Sequence, residues 1–138
     1  MPTRAAQFYR DSIDLLTQRR MHEFVDLFAE DAVVEYAFPP KGWPAFLHGR
    51  EAVRGALGNF PDFLRIEYAK NVTIHETTDP EVIIGEFILG GTVTATGQPY
   101  ESRYIEVVRV RDDQFVEFRD YWNPMLALEL MPNGHFDN

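Results

Sequence analysis

Residues 97–124, GQPYESRYIEVVRVRDDQFVEFRDYWNP, contain the pattern that decides the fold. Alternating apolar and polar residues on both sides of Asp112-Asp113-Gln114 predict two long β-strands joined by a tight turn. Successive side chains of a strand point to opposite faces, so one face of the second strand carries Val116, Phe118, Asp120 and Trp122. That face is apolar except for a single carboxylate.

Asp120 is therefore the main candidate for a functional residue. A carboxylate in an apolar row is either solvated at the mouth of a cavity or buried at a cost in free energy. Burial disfavours the charged form and raises the pKa of the carboxyl group, which makes it able to exchange protons near neutral pH. The sequence thus predicts a catalytic general acid or base at Asp120.

Glu106 on the preceding strand is a second catalytic candidate. It shares the period-two face of Tyr104, Val108 and Val110. Two carboxyl groups in one apolar site push their pKa values apart, so that one acts as acid and the other as base. The opposite register would instead bury two guanidinium groups, turning inward Arg103, Ile105, Val107 and Arg109. A third arrangement is an ordinary ion pair of Glu106 with Arg119 on the outer face.

Composition limits the possible classes of function. The 138 residues fit a single domain, 1–138, and 45% of them are hydrophobic, enough for a sizeable core. The net charge of −9 argues against nucleic acid or a membrane surface as a partner. The chain has no cysteine, which excludes disulfides and thiolate chemistry. The N-terminal residues do not form a signal peptide and no apolar run is long enough to span a bilayer, so a cytoplasmic location is expected.

Helical patterns precede a series of strands. Thr3 can cap a first helix, and further helices are predicted over 22–29 and 51–57. Strands are predicted over 32–36, 66–75, 82–95, 100–110 and 115–122, followed by a short helix over 125–130 and a frayed tail over 132–138. Gly90-Gly91 predicts a bulge or bend. This order indicates an α+β domain in which a curved antiparallel sheet wraps the first helix and leaves a cone for a small ligand.

The segment FPPKGWPAFLHGR at residues 38–50 combines prolines with aromatic residues. It is either a lid or rim over a pocket or a loop folded onto its own core. His48 within it is a candidate catalytic proton donor, whereas His22, His75 and His135 are expected at the surface. Cavity walls for a flat or cyclic substrate are predicted at Tyr36, Trp43, Tyr104 and Trp122, although the same residues suit a plain aromatic core. The histidine spacing supports no metal site.

Three segments carry a resemblance to a known family. They are LFAEDAVVE at 27–35, HGREAV at 48–53, and the hairpin at 104–122. The chain resembles the SnoaL-like branch of the NTF2-like, or ketosteroid-isomerase-like, superfamily. Two further segments, HETTDP at 75–80 and RDYWNP at 119–124, are similar to the PhzA/PhzB phenazine-biosynthesis proteins. The resemblance implies a cone-shaped α+β barrel, a homodimer formed through the sheet, and acid–base chemistry on a small apolar or cyclic molecule without metal or organic cofactor.

The resemblance transfers to individual positions unevenly. Asp120 falls where limonene-epoxide-hydrolase-like members have a catalytic aspartate and PhzA/PhzB-like members a catalytic glutamate. Phe87 and Leu89 stand where epoxide hydrolases need an arginine and a second aspartate, so they are expected as pocket walls together with Phe118. Tyr36 replaces the ketosteroid-isomerase base and Lys70 the PhzA/PhzB histidine. The expected function is an isomerase, cyclase or condensation-type enzyme; the alternative is a non-catalytic ligand-binding or dimerisation module.

Overall fold

A computed structural model describes residues 2–130. These residues form helices α1 (Arg4–Thr17), α2 (Met21–Asp26), α3 (Arg50–Leu57) and α4 (Pro124–Leu130), with one turn of 3-10 helix at Phe60–Asp62. The strands are β1 (Phe28–Tyr36), β2 (Phe46–His48), β3 (Leu64–Glu76), β4 (Val82–Val93), β5 (Pro99–Arg111) and β6 (Gln114–Trp122). Within residues 2–130, no helix is long and apolar enough to cross a membrane. The frayed tail predicted for 132–138, with His135, lies outside the described residues.

The six strands of the described chain form one curved, unclosed sheet in the order β2-β1-β6-β5-β4-β3. The expected α+β class is confirmed. The prediction of a purely antiparallel sheet was wrong at one place, because β1 and β6 pair in parallel. No hairpin connects these two strands, so chain connectivity leaves their relative direction free.

The β5-β6 hairpin forms at the predicted turn. Asp112 and Asp113 have positive φ angles of 52° and 57°, as a two-residue hairpin turn requires. Aspartate tolerates this left-handed conformation better than most residues. Beyond the turn, a bulge shifts the register between the pairs that involve Arg109 and Val110. As a result Phe115 is fully buried, which strict alternation from Val116 does not predict.

The second helix is shorter than predicted and the first strand longer. α2 ends at Asp26 and β1 begins at Phe28, whereas the sequence pattern continued the helix to residue 29. The ring of Phe28 lies 5.5 Å from that of Phe24 and 5.1 Å from that of Phe115, and Phe28 pairs with Phe115 across β1 and β6. Tertiary packing therefore overrides the local helical periodicity.

Helix α1 covers the inner face of the sheet. The Thr3 hydroxyl caps the helix by accepting a hydrogen bond from the Ala6 amide at 3.1 Å. Tyr9, Ile13 and Leu16 follow each other at three- and four-residue spacing along α1, and all are buried. Burial of a side chain such as Ile13 contributes about 1.5–3 kcal/mol. On the far strand pair, a register shift between Ile66 and Tyr68 lies opposite Gly90-Gly91, where a bulge was expected.

Candidate active site

Three transverse rows of side chains organise the inner face of the sheet. The lowest row is apolar and consists of Ile83, Val108, Phe118 and Val34, which pair in register across β4, β5, β6 and β1. The middle row consists of Gly85, Glu106, Asp120 and Tyr36, paired in the same way. The upper row is aromatic and consists of Phe87, Tyr104 and Trp122. The only carboxyl groups in these rows thus lie directly opposite each other, between an apolar and an aromatic layer.

Glu106 and Asp120 form a carboxyl pair shielded from water. Glu106 is 6% exposed. Asp120 is half-buried, but its Oδ1 atom is inaccessible to solvent and has no hydrogen-bond partner in the described chain. Burial raises the pKa of Asp120 to about 7, and the hydrogen bond with the Glu106 carboxyl opposes part of that rise. Burial, and then the negative charge of Asp120, hold the pKa of Glu106 well above its usual range. Near neutral pH the pair therefore holds a proton that two solvated carboxyl groups would have lost.

Tyr9 of α1 holds Glu106 in place. Its hydroxyl donates a buried hydrogen bond of 2.8 Å to Glu106 Oε1. Burial, followed by the charge of Glu106, raises the pKa of Tyr9, so the phenol stays a neutral donor. The ring lies against Gly85, where an added Cβ would come within 2.2 Å of it. Sequence periodicity identified Tyr9 only as an apolar helix position, because a hydroxyl that reaches across to a strand leaves no periodic signal.

The carboxyl pair lies in the wall of a cavity of about 360 Å³. Two ring contacts close one side of it: Trp43 lies 5.6 Å from Tyr36 and 5.5 Å from Trp122 between ring centroids. On the other side Phe87 and Tyr104 stack at 5.3 Å. The residues predicted as cavity walls all line it, namely Tyr36, Trp43, Phe87, Leu89, Tyr104, Phe118 and Trp122.

Comparison with known proteins identifies the family to which this architecture belongs. The family model for the SnoaL-like domain matches residues 9–118. This chain belongs to the SnoaL-like family. A PhzA/B-like protein of Pseudomonas aeruginosa, itself uncharacterised, is 36% identical over 120 residues, which is 87% of this chain and 84% of that protein. The resemblance drawn from the three sequence segments is confirmed.

Solved structures agree with this assignment to the SnoaL-like family. A structure from Bacillus subtilis that is named as a candidate isomerase is 30% identical and superimposes with a TM-score of 0.87, covering 96% of this chain and 94% of that one. A candidate polyketide cyclase from Xanthomonas campestris has a TM-score of 0.76 and covers 91% and 95% of the two chains. At 18% identity, this second similarity shows the fold alone.

His48 does not reach the cavity of this SnoaL-like chain. It lies exposed on β2, and its ring stacks on Phe46 with centroids 6.1 Å apart. β2 pairs with β1 so that His48 is opposite Val33, and these side chains share the outer face of the sheet, whereas the neighbouring Leu47 packs against the core. The prediction of His48 at a cavity rim is therefore corrected. The loop itself contributes Gly42, Trp43 and Pro44 to the cavity wall, in agreement with the rim interpretation of this segment.

Cationic side chains also lie away from the cavity. Arg119 is in register with Val107, not with Glu106, and its guanidinium carbon lies 5.7 Å from the centre of the Tyr121 ring on the outer face. The two alternatives to an inward-facing Glu106 are the opposite register of β5 and an ion pair of Glu106 with Arg119. The observed pairing excludes both. Lys70 is exposed and bonds Glu101 at 2.8 Å, so it does not take the place of a cavity histidine. Among residues 2–130, none that lines the cavity is Lys, Arg or His.

The site of this SnoaL-like chain is suited to proton transfer. It combines two carboxyl groups with raised pKa values and neutral phenols inside an apolar enclosure. Tyr36 follows Asp120 in the middle row, and burial together with the charge of Asp120 raises the pKa of its hydroxyl. Residues 2–130 contain no cluster of three or more His, Asp or Glu side chains that could hold a metal ion.

Proposed function

We propose that this SnoaL-like protein is a general acid–base enzyme that moves a proton within a neutral, mainly apolar carbonyl compound, in an isomerisation, cyclisation or condensation. The observation that carries the proposal is the register pairing of Glu106 with Asp120 in the wall of the cavity, where the pKa of Asp120 is raised to about 7. A base of this pKa is half ionised at physiological pH, which is the condition under which general catalysis is most effective.

Each residue of the site has a distinct part in the proposed reaction. Asp120 removes a proton from the carbon next to the substrate carbonyl, the electron pair of that C–H bond forms a C=C bond, and the π pair of the carbonyl moves onto its oxygen. The neutral hydroxyl of Tyr36, next to Asp120 in the same row, donates a hydrogen bond to that oxygen as charge develops on it. Asp120 then returns the proton to the γ-carbon of a conjugated enolate, giving an isomer. Alternatively, the enolate attacks a second carbonyl of the substrate and closes a ring, and the alkoxide that forms takes the proton from Asp120.

Glu106 and Tyr9 act on Asp120 in this scheme, not on the substrate. The protonated Glu106 donates a hydrogen bond to Asp120 and limits the rise of its pKa. Tyr9 fixes the Glu106 carboxyl through the 2.8 Å hydrogen bond from α1. Glu106 and Tyr9 are therefore positioning residues for the base, Asp120.

The named relatives support the choice of substrate class. One is called PhzA/B-like and a structural neighbour is named as a candidate polyketide cyclase. These names describe those proteins, and they make polycyclic carbonyl compounds the first substrates to test on this one. Aromatic walls on two sides of the cavity, formed by Trp43 with Trp122 and by Phe87 with Tyr104, suit flat rings.

Hydrogen–deuterium exchange tests the proposal without knowledge of the natural substrate. The probe is 2-tetralone, a bicyclic ketone with acidic α-hydrogens, incubated with the protein in D₂O and followed by NMR. The wild-type protein should accelerate exchange above the buffer rate, and Asp120→Asn should remove that acceleration. Asp31→Asn, an exposed carboxylate on β1, is the matched control and should retain it. Full exchange activity in the Asp120→Asn variant would leave a ligand-binding module as the remaining function.

We also propose that the protein forms a homodimer through the outer face of the sheet. Phe38 and Ile105 are 56% and 41% exposed. Ile105 pairs with Tyr121 across β5 and β6, and the Tyr121 ring lies 5.8 Å from that of Phe38. An exposed apolar cluster of this kind is typical of a protein–protein interface.

A further inference from the structure

Two tyrosine side chains flank Asp120, and the proposed proton transfer uses only one of them. Tyr36 is the register partner of Asp120 on β1. On the other side the register partner is Glu106, and Tyr104 lies two residues before it on the same inner face of β5. Tyr104 is thus a diagonal neighbour of Asp120, at a separation that an aromatic side chain can span. The base therefore has a phenol within reach on each side.

The Tyr104 side chain faces the cavity. It forms part of the cavity wall, and its ring stacks on that of Phe87 with centroids 5.3 Å apart. Tyr104 is half-buried, whereas the hydroxyl of Tyr100, the next tyrosine along this face of β5, is closed off from solvent. Of these two phenols, Tyr104 is the one that a ligand in the cavity can reach.

Ser102 prepares the Tyr104 hydroxyl to act as a donor. Ser102 is 4% exposed and does not itself line the cavity. Burial, followed by the charge of Asp120, raises the pKa of Tyr104, so the phenol is neutral, while its hydrogen bond with Ser102 lowers that pKa. A hydrogen bond lowers the pKa of a phenol by stabilising the phenolate, so Ser102 donates and the Tyr104 oxygen accepts. The proton of Tyr104 is left for another acceptor, and the bond from Ser102 makes it a stronger donor.

Ring closure requires a donor of this kind. When an enolate attacks a second carbonyl group, negative charge moves from the first oxygen to the second. Within residues 2–130 no Lys, Arg or His lines the cavity, so a neutral donor has to stabilise that charge. In the proposed reaction Tyr36 serves the first oxygen, which leaves the Tyr104 hydroxyl, on the other side of Asp120, for the second.

We propose that Tyr104 is a further catalytic residue, which donates a hydrogen bond to the second carbonyl oxygen of a diketone, and that Ser102 is its positioning residue. This inference rests on the proposed function and selects ring closure within a diketone from among its reactions. Asp120 takes a proton from the carbon next to the first carbonyl, and the enolate forms a carbon–carbon bond to the second carbonyl carbon as the first carbonyl re-forms. The π pair of the second carbonyl becomes an alkoxide held by Tyr104. The alkoxide takes the proton from Asp120, so the product is a cyclic hydroxyketone isomeric with the substrate.

A single diketone reports proton removal and ring closure separately. The probe is 2-(3-oxobutyl)cyclohexanone in D₂O, followed by NMR. Deuterium entering the methyl group beside the ketone measures proton removal, and the signals of the bicyclic hydroxyketone measure ring closure. Both initial rates are measured for the wild type, Tyr104→Phe, Ser102→Ala and Tyr36→Phe. The control is Tyr68→Phe, which removes an exposed tyrosine hydroxyl bonded to Glu101 and should change neither rate.

Tyr104→Phe should slow ring closure on the order of 10²-fold, the usual cost of one lost donor to a developing oxyanion, and leave deuterium entry near the wild-type rate. Ser102→Ala should slow ring closure about two- to tenfold, the contribution of one neutral hydrogen bond, again without slowing deuterium entry. Tyr36→Phe should slow both reactions, because the enolate precedes the new bond. A merely structural defect would slow both reactions together, so the ratio of the two rates reports the chemical role.

Other results overturn this inference alone or together with the proposed function. An unchanged ratio of the two rates in Tyr104→Phe, or a wild type that exchanges deuterium without closing the ring, removes the role of Tyr104 and leaves the proton-transfer function intact. Thermal unfolding verifies that each variant is folded; if Tyr104→Phe is not, the ratio in Ser102→Ala, which keeps the Tyr104 ring, decides. Deuterium exchange that Asp120→Asn does not slow removes the proposed function, and this inference with it.

Discussion

The ring of Tyr9 occupies the space that a side chain at position 85 would need. An ideal Cβ at Gly85 would lie 2.2 Å from the Tyr9 ring and hydroxyl, and the hydroxyl in turn holds Glu106, the register partner of Gly85. Helix α1 is thus fitted to the sheet at the same point at which it contacts the carboxyl pair. Packing of the core and alignment of the site depend on one another here.

Gly85→Ala should disturb both the packing of the core and the alignment of the carboxyl pair. The added methyl group displaces the Tyr9 ring, and overpacking of a dense core costs about 1–3 kcal/mol of unfolding free energy. The displaced hydroxyl also loses Glu106, so exchange of 2-tetralone should slow. Urea unfolding and the NMR exchange assay measure the two effects.

Gly55→Ala is the matched control for that variant, because Gly55 lies in α3 with no atom near its missing Cβ. In a helix this change should stabilise the protein by ~0.5–1 kcal/mol. Equal stability of the Gly85→Ala variant and the wild type would contradict the close contact with Tyr9.

Tyr9→Phe separates the hydrogen bond from the packing. The ring remains, but Glu106 Oε1 loses its 2.8 Å donor, and a buried group left without its partner costs about 1–3 kcal/mol. Since the Tyr9 hydrogen bond lowers the pKa of Glu106, that pKa should rise further in the variant. Chemical denaturation gives the loss of stability and carboxyl-selective NMR gives the direction of the pKa change. A loss no greater than that of Tyr68→Phe, on the exposed outer face, would show that the buried bond contributes little.

Stability should fall as the pH rises from about 4 to 7. The pKa of Asp120 is about 7 in the folded protein, against 3.8 for a free side chain. Above pH 4 the folded state binds more protons than the unfolded chain, so the unfolding free energy decreases as the pH rises. The raised pKa of Glu106 acts with the same sign, and the shift of Asp120 alone corresponds to at most ~4 kcal/mol. The half-buried acids Asp79 and Glu81, whose pKa values are lowered, act with the opposite sign and at lower pH.

The Asp120→Asn variant tests this dependence because its neutral amide resembles the protonated acid. Its stability should exceed that of the wild type at pH 8 and approach it at pH 4.5, as measured by urea unfolding. The Asp31→Asn control should show no such difference between the two pH values. A constant offset at both pH values for Asp120→Asn would mean that the carboxyl group titrates normally.

The proposed dimer predicts that Ile105→Glu gives a monomer. This change puts a charge at the centre of the exposed cluster around Phe38 and Tyr121, where burial in an interface would be costly. Light scattering coupled to size-exclusion chromatography measures the mass of each species. Leu128→Glu alters a side chain on α4 that is 53% exposed and should leave the assembly unchanged; a dimer that persists in Ile105→Glu would assign the interface to another surface.

The placement of the carboxyl pair could be predicted from sequence because period-two alternation fixes which face each strand residue occupies. Asp120 stands among Phe118 and Trp122, and Glu106 among Tyr104 and Val108, so one inward face and a hairpin register bring them together. The position of Phe115 escaped this reasoning, because a bulge changes the phase of alternation without a mark in the sequence.

Other features depend on partners that are remote in the chain. His48 faces outward because of its register with Val33 in an edge pairing, which the loop sequence does not encode locally. The role of Tyr9 depends on a strand 97 residues away.

The parallel pairing of β1 with β6 also constrains when the site can form. Tyr36 and Asp120 are neighbours in the sheet, yet the ribosome must add β2 to β5 after Tyr36 before Asp120 can emerge. Contacts between such distant segments close late and slow the folding of a domain. A nascent chain therefore carries an open β1 edge until β6 arrives, which makes this edge a point at which chaperones would have much to protect.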